Sequence, residues 1–137
     1  MEAQTANIFL VEDSSDDEYL IRRAMERLFP EIRIRHSGTG EEALGELLAE
    51  GAETPNLVLM DVRLPKLSGH EVLTALRRDD RYQRVPLVML TSSKAPLDIA
   101  EAYSNGANGY VLKPLEFDEY IDKIAGMLQY WLKINTC

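Results

Sequence analysis

Short apolar runs alternate with longer amphipathic stretches along this chain. The runs are rich in β-branched residues and predict strands, whereas the apolar positions of the longer stretches recur at helical spacing. The predicted strands cover residues 7–11, 32–34, 57–60, 86–90 and 109–112. Because a helix follows each strand, the pattern predicts an α/β fold with a parallel sheet, helices on both faces and right-handed crossovers. The wholly apolar first, third and fourth strands should be central.

The starts of several helices carry capping signals. Ser15 followed by Glu18 predicts a capping box at the first helix. Thr39 or a neighbour is expected to start the second helix, and Pro96 suits the first turn of the fourth. The last helix should begin near residues 115–116, and its apolar positions are Phe117, Tyr120, Ile121, Ile124, Leu128 and Trp131.

Polar residues stand where the predicted strands end. Glu12 and Asp13 follow the first strand, Asp61 follows the third, Thr91 follows the fourth and Lys113 follows the fifth. In a parallel sheet with crossover helices, all carboxyl ends lie at one edge, and ligands bind there at the topological switch point. We therefore expect three carboxylates, a hydroxyl and an ammonium to meet in one shallow pocket.

This combination of side chains suits phosphoryl transfer. Three crowded carboxylates repel one another unless a cation neutralises them, and oxygen ligands are those that Mg²⁺ prefers. Lys113 offers a point charge for a phosphoryl oxygen, and Thr91 offers a small donor. The acceptor should be a carboxylate, because the pocket contains no cysteine and no well-placed serine–histidine pair.

Composition narrows the classes of protein to which the chain could belong. The 137 residues, 45% of them apolar, fit one globular domain, with a core at about 5–128 and an extension of the last helix at 129–137. A net charge of −8 and a pI near 4.8 argue against nucleic-acid binding through a basic face. The single cysteine, Cys137, favours a reducing, cytoplasmic setting. The sequence has neither a signal-peptide pattern nor an apolar run of membrane-spanning length.

Seven short motifs resemble those of the CheY-like response-regulator receiver family, and they occur in the same order and at similar spacing. They are Val11-Glu12-Asp13, Leu59-Met60-Asp61, Leu64-Pro65, Ser68-Gly69, Leu90-Thr91-Ser92, Gly106-Ala107 and Lys113-Pro114. The resemblance covers nearly the whole chain. It implies a flavodoxin-like (βα)5 three-layer sandwich with strand order 2-1-3-4-5.

The resemblance also implies a metal site and an acceptor. Asp61 resembles the phosphoacceptor, which receives its phosphoryl group from a sensor histidine kinase. Asp13 and Asp61 resemble direct Mg²⁺ ligands together with the backbone carbonyl of Arg63, and Glu12 would reach the ion through water. The family catalyses only its own phosphoryl transfer and dephosphorylation, so an enzyme acting on external substrates is not expected.

Further roles follow from the same resemblance. Lys113 would bind the phosphoryl group, and the Lys113–Pro114 peptide bond would be cis. Thr91 and Tyr110 resemble the switch pair, in which the hydroxyl moves toward the phosphoryl oxygens and the tyrosine turns into the vacated space. The added charge would then alter the surface of the fourth helix, fifth strand and fifth helix.

Large apolar residues continue past the last helix, at residues 128–134. This segment is similar to one in the single-domain regulators paired with phytochrome-type histidine kinases of bacteria and cyanobacteria, which tend to form homodimers. We therefore expect a homodimer through the segment from Tyr120 to Ile134. Trp131 has two open interpretations, since it could cover the domain's own core or face a partner. With no output domain attached, the signal is expected to pass through a partner protein.

Three other interpretations remain to be weighed. An aspartate-based phosphatase would need a second acid two residues after Asp61, where Arg63 stands. A constitutive interaction module with a vestigial site is disfavoured by the complete set of pocket residues. The segment 38–43 matches a dinucleotide-binding fingerprint, but its two glutamates would repel a pyrophosphate. His36 and His70 have no carboxylate or cysteine at ligand spacing in the sequence, and they are interpreted as surface or loop residues.

Overall fold

The apolar runs form the strands of one parallel sheet. The computed structural model describes residues 6–134. The strands are β1 (Asn7–Val11), β2 (Arg33–Ser37), β3 (Leu57–Met60), β4 (Leu87–Thr91) and β5 (Gly109–Leu112). Their spatial order is β2-β1-β3-β4-β5, and every neighbouring pair is parallel. The predicted flavodoxin-like order is therefore confirmed.

A helix follows each strand. The helices are α1 (Ser15–Leu28), α2 (Gly40–Leu47), α3 (Gly69–Arg77), α4 (Pro96–Ser104) and α5 (Phe117–Gln129). A short 3-10 turn covers Asp80–Tyr82, and a π-helical turn at Tyr130–Ile134 continues α5. Among residues 6–134, no helix combines the length and the apolar character needed to cross a membrane.

Alternate strand residues fill two apolar layers, one on each face of the sheet. Leu10 and Leu59 pack with the apolar faces of α1 and α5, whereas Phe9, Val58 and Met60 pack with those of α2 and α3. Side chains alternate between the faces of a strand, so a strand covered on both sides is apolar throughout. All residues of β1, β3 and β4 are buried, as predicted for the central strands.

The position at which α1 begins corrects one prediction made from the sequence. Ser14 is the N-cap of α1, and its hydroxyl accepts a hydrogen bond from the Asp17 backbone N–H at 3.3 Å. The predicted capping box of Ser15 and Glu18 is therefore wrong by one residue. Ser14 holds the extended backbone of a cap (φ −83°, ψ 117°), whereas Ser15 is already helical. Thr39 is confirmed as the N-cap of α2.

Gly69 lets α3 begin directly against the end of β3. Its backbone N–H donates to the carbonyl of Val62 at 2.9 Å. A Cβ atom at this position would lie 2.1 Å from the carbonyl oxygen of Asp61, far inside van der Waals contact. Only glycine allows this approach, which anchors the loop that carries Asp61.

Candidate functional site

The candidate site lies at the carboxyl ends of four strands, the central β1, β3 and β4 and the edge strand β5. The Asp61 backbone N–H donates to the carbonyl of Val11 at 3.1 Å, and the Lys113 N–H donates to that of Thr91 at 2.8 Å. These bonds continue the ladders of the sheet beyond its strands. Residues from distant parts of the chain are thereby held at one edge, as the sequence predicted.

Lys113 is the centre of the site. Its Nζ lies 2.7 Å from Glu12 Oε2, 2.7 Å from Asp61 Oδ2 and 2.9 Å from Asp17 Oδ2. Its side chain is only 6% exposed, so these are short ionic hydrogen bonds largely shielded from water. One ammonium cannot balance three carboxylates, and the pocket keeps an excess of negative charge.

Burial and Lys113 act in opposite directions on the pKa of Glu12. Burial raises the pKa of Glu12 to about 6, and the hydrogen bond from Lys113 limits that rise. Burial alone would lower the pKa of Lys113. Its hydrogen bonds to Asp61, Glu12 and Asp17 instead hold the pKa above its ordinary value. Lys113 therefore stays an ammonium at neutral pH.

The raised pKa of Glu12 predicts a pH-dependent stability. The folded protein keeps the Glu12 proton up to about pH 6, whereas the unfolded chain releases it near the ordinary glutamate pKa of 4.5. The folded state binds more protons in this window, so the free energy of unfolding falls as the pH rises through it. The expected loss is on the order of 2 kcal/mol.

Urea denaturation of metal-free protein between pH 4.5 and 7 measures this slope. Glu12→Gln should remove that component, whereas Glu50→Gln, on an exposed residue, should retain it. Parallel stability profiles of the wild type and Glu12→Gln would contradict the assignment.

The acidic residues form a set that fits a divalent cation. One carboxylate oxygen from each of Glu12, Asp13 and Asp61 lies within 4.8 Å of the others. Glu12 and Asp61 are buried and Asp13 is exposed, so the set opens to solvent on one side. A donor set made only of oxygen suits a hard cation such as Mg²⁺. The Arg63 backbone N–H donates to Asp61 Oδ1 at 3.2 Å, which brings that backbone to the rim; the metal-binding role of its carbonyl stays a prediction.

Thr91 and Tyr110 are linked through Ser93. The Thr91 hydroxyl is buried and accepts a hydrogen bond from the Ser93 N–H at 3.3 Å. The Tyr110 hydroxyl donates to the Ser93 carbonyl at 2.9 Å, and burial raises the pKa of this phenol. The two residues predicted as a pair therefore bind the same backbone segment between β4 and α4.

The predicted cis bond before Pro114 is wrong. No peptide bond among residues 6–134 is cis. A trans X-Pro bond is favoured by about 0.5–1 kcal/mol in the absence of other constraints. Lys113 already reaches Glu12 and Asp61 with a trans bond, so no constraint from the pocket requires the cis form.

Asp17 belongs to the site although it lies in the first turn of α1 and does not follow a strand. Its Oδ2 accepts from Lys113, and its Oδ1 accepts from the Tyr120 hydroxyl at 3.0 Å. Burial, together with the charge of Asp17, raises the pKa of Tyr120, which keeps the phenol a donor. Asp17 thus connects α1, α5 and the pocket, and no local sequence signal indicated this link.

Both histidines differ from the sequence interpretation. His70 is buried on α3, and its Nε2 lies 3.7 Å from Asp98 Oδ1 and 3.6 Å from Glu101 Oε2. His36 is half-buried on β2, where its Nδ1 lies 3.4 Å from Glu18. No carboxylate stands at ligand spacing from either histidine in the sequence, and each of these carboxylates comes from another element that packing brings close.

The segment after α5 covers the domain's own core. Trp131 and Leu132 are partly buried against the layer formed by α1 and α5. A Cβ on Gly109 would lie 3.5 Å from the indole of Trp131. The self-packing interpretation of Trp131 is therefore confirmed. Cys137 lies outside the described residues.

Comparison with known proteins agrees with this geometry. The sequence profile of the response regulator receiver domain matches residues 8–125. The probable methanogenesis regulatory protein FilR2 of Methanothrix harundinacea (strain 6Ac) is 43% identical, over 93% of this chain and 84% of its own. Response regulator Rcp1 of Synechocystis sp. (strain ATCC 27184 / PCC 6803 / Kazusa) is 31% identical, over 94% of this chain and 90% of its own.

Solved structures give the same result. The phosphorylated cyanobacterial phytochrome response regulator RcpA superposes with a TM-score of 0.92 at 31% identity, covering 97% of this chain and 98% of its own. A Mn²⁺-bound form of Rcp1 has a TM-score of 0.88 at 29% identity, with 96% and 97% covered. The profile match spans well over half of the sequence, and the strand order and pocket agree with it. This chain belongs to the response regulator receiver domain family.

Proposed function

We propose that Asp61 accepts a phosphoryl group from a sensor histidine kinase, with Mg²⁺ held by Glu12, Asp13 and Asp61. The observation that carries the proposal is the buried contact of Lys113 with Asp61 and Glu12, each at 2.7 Å. These contacts place a fixed positive charge beside the acceptor carboxylate, where phosphoryl oxygens would arrive.

In this mechanism an Asp61 oxygen forms a bond to phosphorus as the bond to the kinase's histidine nitrogen breaks. The leaving imidazole takes up a proton. Lys113 then shifts part of its hydrogen bonding from the Asp61 carboxylate to the phosphoryl oxygens, and the Arg63 N–H keeps Asp61 oriented. A bound Mg²⁺ ion supplies the positive charge that the excess of carboxylates requires.

Mass measurement after incubation with Mg²⁺ and acetyl phosphate tests this function. One added phosphoryl group that is lost in alkaline hydroxylamine is expected, because acyl phosphates are cleaved by that nucleophile. Chelation of divalent cations should prevent the modification. An unmodified wild type in Mg²⁺ would contradict the proposal.

We further propose a phytochrome-type histidine kinase as the cognate donor. Support comes from RcpA, whose structure is described as that of a phytochrome response regulator, and from the length of chain that it shares with this protein. FilR2 has the higher identity, 43%, and is described as a probable methanogenesis regulatory protein, without mention of a phytochrome. Phosphotransfer from a purified cyanobacterial phytochrome kinase should outpace transfer from an unrelated histidine kinase. Equal rates would remove the phytochrome assignment while retaining the receiver function.

Turnover of external phosphate esters is not proposed. The position two residues beyond Asp61 holds Arg63, whose side chain is 72% exposed and pairs with Asp98 at 3.0 Å. A guanidinium cannot serve as the general acid that an aspartate-based phosphatase uses. We propose that residues 1–137 act as a single receiver domain that catalyses only its own phosphorylation and dephosphorylation.

We also propose Thr91 and Tyr110 as the switch pair. Their shared contact with Ser93 supports this role, since a shift of Thr91 toward a phosphoryl group would release the Ser93 backbone. Thr91→Ala should still be phosphorylated, but hydrogen exchange at residues 93–104 should respond less to phosphorylation. The free energy that couples phosphorylation to these residues should fall by the contribution of one hydrogen bond, about 0.5–1.5 kcal/mol. An unchanged exchange response in Thr91→Ala would contradict the assignment.

A homodimer through the segment from Tyr120 to Ile134 remains our proposal for assembly. Most apolar side chains of this segment pack on the protein's own sheet, so Tyr130, 45% exposed, is the apolar side chain best placed for a partner. Tyr130→Glu should convert a dimer to a monomer in light scattering. Tyr19→Glu, at a comparably exposed tyrosine on α1, is the control. A wild-type monomer in both phosphorylation states would contradict the dimer.

A further inference from the structure

A second cluster of ionisable side chains lies between α3 and α4, apart from the acidic pocket. His70 comes from the first turn of α3, whereas Asp98 and Glu101 come from α4. Spacing of three residues puts these two carboxylates on one face of α4, toward α3. One ligand atom from each of the three residues lies within 4.8 Å of the other two.

His70 has no hydrogen-bond partner within the described chain, residues 6–134. Both its ring nitrogens are fully buried and neither makes a hydrogen bond. Its side chain is 8% exposed, and Nε2 faces the two carboxylates. A buried polar group without a partner is unfavourable, so this arrangement indicates that something binds there.

The distances are too long for hydrogen bonds and suit the ligands of one ion. Nε2 lies 3.7 Å from Asp98 Oδ1 and 3.6 Å from Glu101 Oε2. An imidazolium–carboxylate hydrogen bond would be about 2.7–2.9 Å. Tetrahedral ligands about 2.1 Å from a zinc ion are about 3.4 Å apart. An ion centred between the three atoms therefore needs only small side-chain adjustments.

Asp98 is already oriented for such a role. Its Oδ2 accepts from the Ser93 hydroxyl at 2.5 Å and from the Arg63 guanidinium at 3.0 Å. Its other oxygen, Oδ1, is the one that faces His70. Outer-shell partners of this kind fix the orientation of a metal-binding carboxylate. Binding at Oδ1 would leave the contacts with Ser93 and Arg63 in place.

We propose that His70, Asp98 and Glu101 form a second cation site, which takes a divalent transition metal such as Zn²⁺ and joins α3 to α4. The imidazole selects against Mg²⁺, which prefers oxygen ligands, and favours the transition metals. Glu101 is 57% exposed, so the ion is reached from solvent and a water completes its coordination. A cavity of about 340 Å³ beside His70 and Glu101 gives the room for that water.

Titration with Co²⁺ and Zn²⁺ in excess Mg²⁺ tests the proposal, since under the proposed function Mg²⁺ would fill the acidic pocket. The full chain should carry Cys137→Ser in every sample, because a free thiol also binds these metals. One equivalent of Co²⁺ should give visible absorption that Zn²⁺ removes. The imidazole NMR signals of His70 should shift, and those of His36 should not.

Single-ligand variants locate the ion. Glu101→Gln changes an exposed side chain that the fold does not need, and it should weaken Co²⁺ binding by at least about 10-fold. His70→Gln should do the same, and His36→Gln, at the other histidine beside a carboxylate, should bind as the wild type does. Equal affinity of Glu101→Gln and the wild type would overturn the proposal. Loss of binding in Asp13→Asn alone would also overturn it, by placing the ion in the acidic pocket.

Discussion

Asp61→Asn is expected to abolish the gain of one phosphoryl group in Mg²⁺ and acetyl phosphate. The carboxamide is nearly isosteric, so its oxygen can still accept from the Arg63 N–H. It lacks the negative charge that makes the carboxylate a nucleophile. Its NH₂ group would also face the Lys113 ammonium, which now lies 2.7 Å from Asp61 Oδ2.

Asp17→Asn is the matched control for this result. Asp17 also contacts Lys113, at 2.9 Å, and its loss perturbs the charge of the pocket in the same direction. We expect it to retain one phosphoryl group per chain, at a reduced rate. Intact mass spectrometry before and after hydroxylamine distinguishes the two variants. An equal mass gain in Asp61→Asn and the wild type would place the acceptor elsewhere and end the proposed mechanism.

Lys113→Met is expected to destabilise the metal-free protein strongly. The variant leaves Glu12 and Asp61 buried next to each other without a compensating ammonium. Removal of one partner from a buried ion pair costs about 3–5 kcal/mol. The loss should be largest above neutral pH, where both carboxylates are charged, and smaller in acid, where Glu12 is protonated. Phosphorylation should also slow by about 10²–10³-fold, as on loss of a group that stabilises charge in a transition state.

Mg²⁺ should recover more stability in Lys113→Met than in the wild type, because the ion can neutralise the same carboxylates. Urea denaturation with chelator and with Mg²⁺ measures this difference. Lys123→Met is the control, since Lys123 is exposed and donates to the Leu112 carbonyl at 3.0 Å, away from the acidic pocket. A Lys113→Met protein as stable as Lys123→Met in chelator at alkaline pH would show that the carboxylates do not depend on Lys113.

Most of the architecture could be predicted from local patterns. Period-two and helical spacing depend on residues close in sequence, and they correctly located the five strands and the central position of β1, β3 and β4. Glu12, Asp61 and Lys113 could also be grouped, because a parallel sheet aligns the ends of its strands. Helix boundaries were less secure, as the shift from Ser15 to Ser14 shows, since either serine could cap.

Only the tertiary structure decided which distant side chains touch. Asp17 contacts Lys113 across 96 positions, because the crossover helix α1 packs against α5 beside the pocket. His70 meets Asp98 and Glu101 because α3 and α4 pack on the same face of the sheet. Sequence alone determined the fold and the residues at the strand ends, since both follow from local spacing and chain direction. Contacts between helices depend on the packing angle and side-chain reach of each pair, which no local pattern encodes.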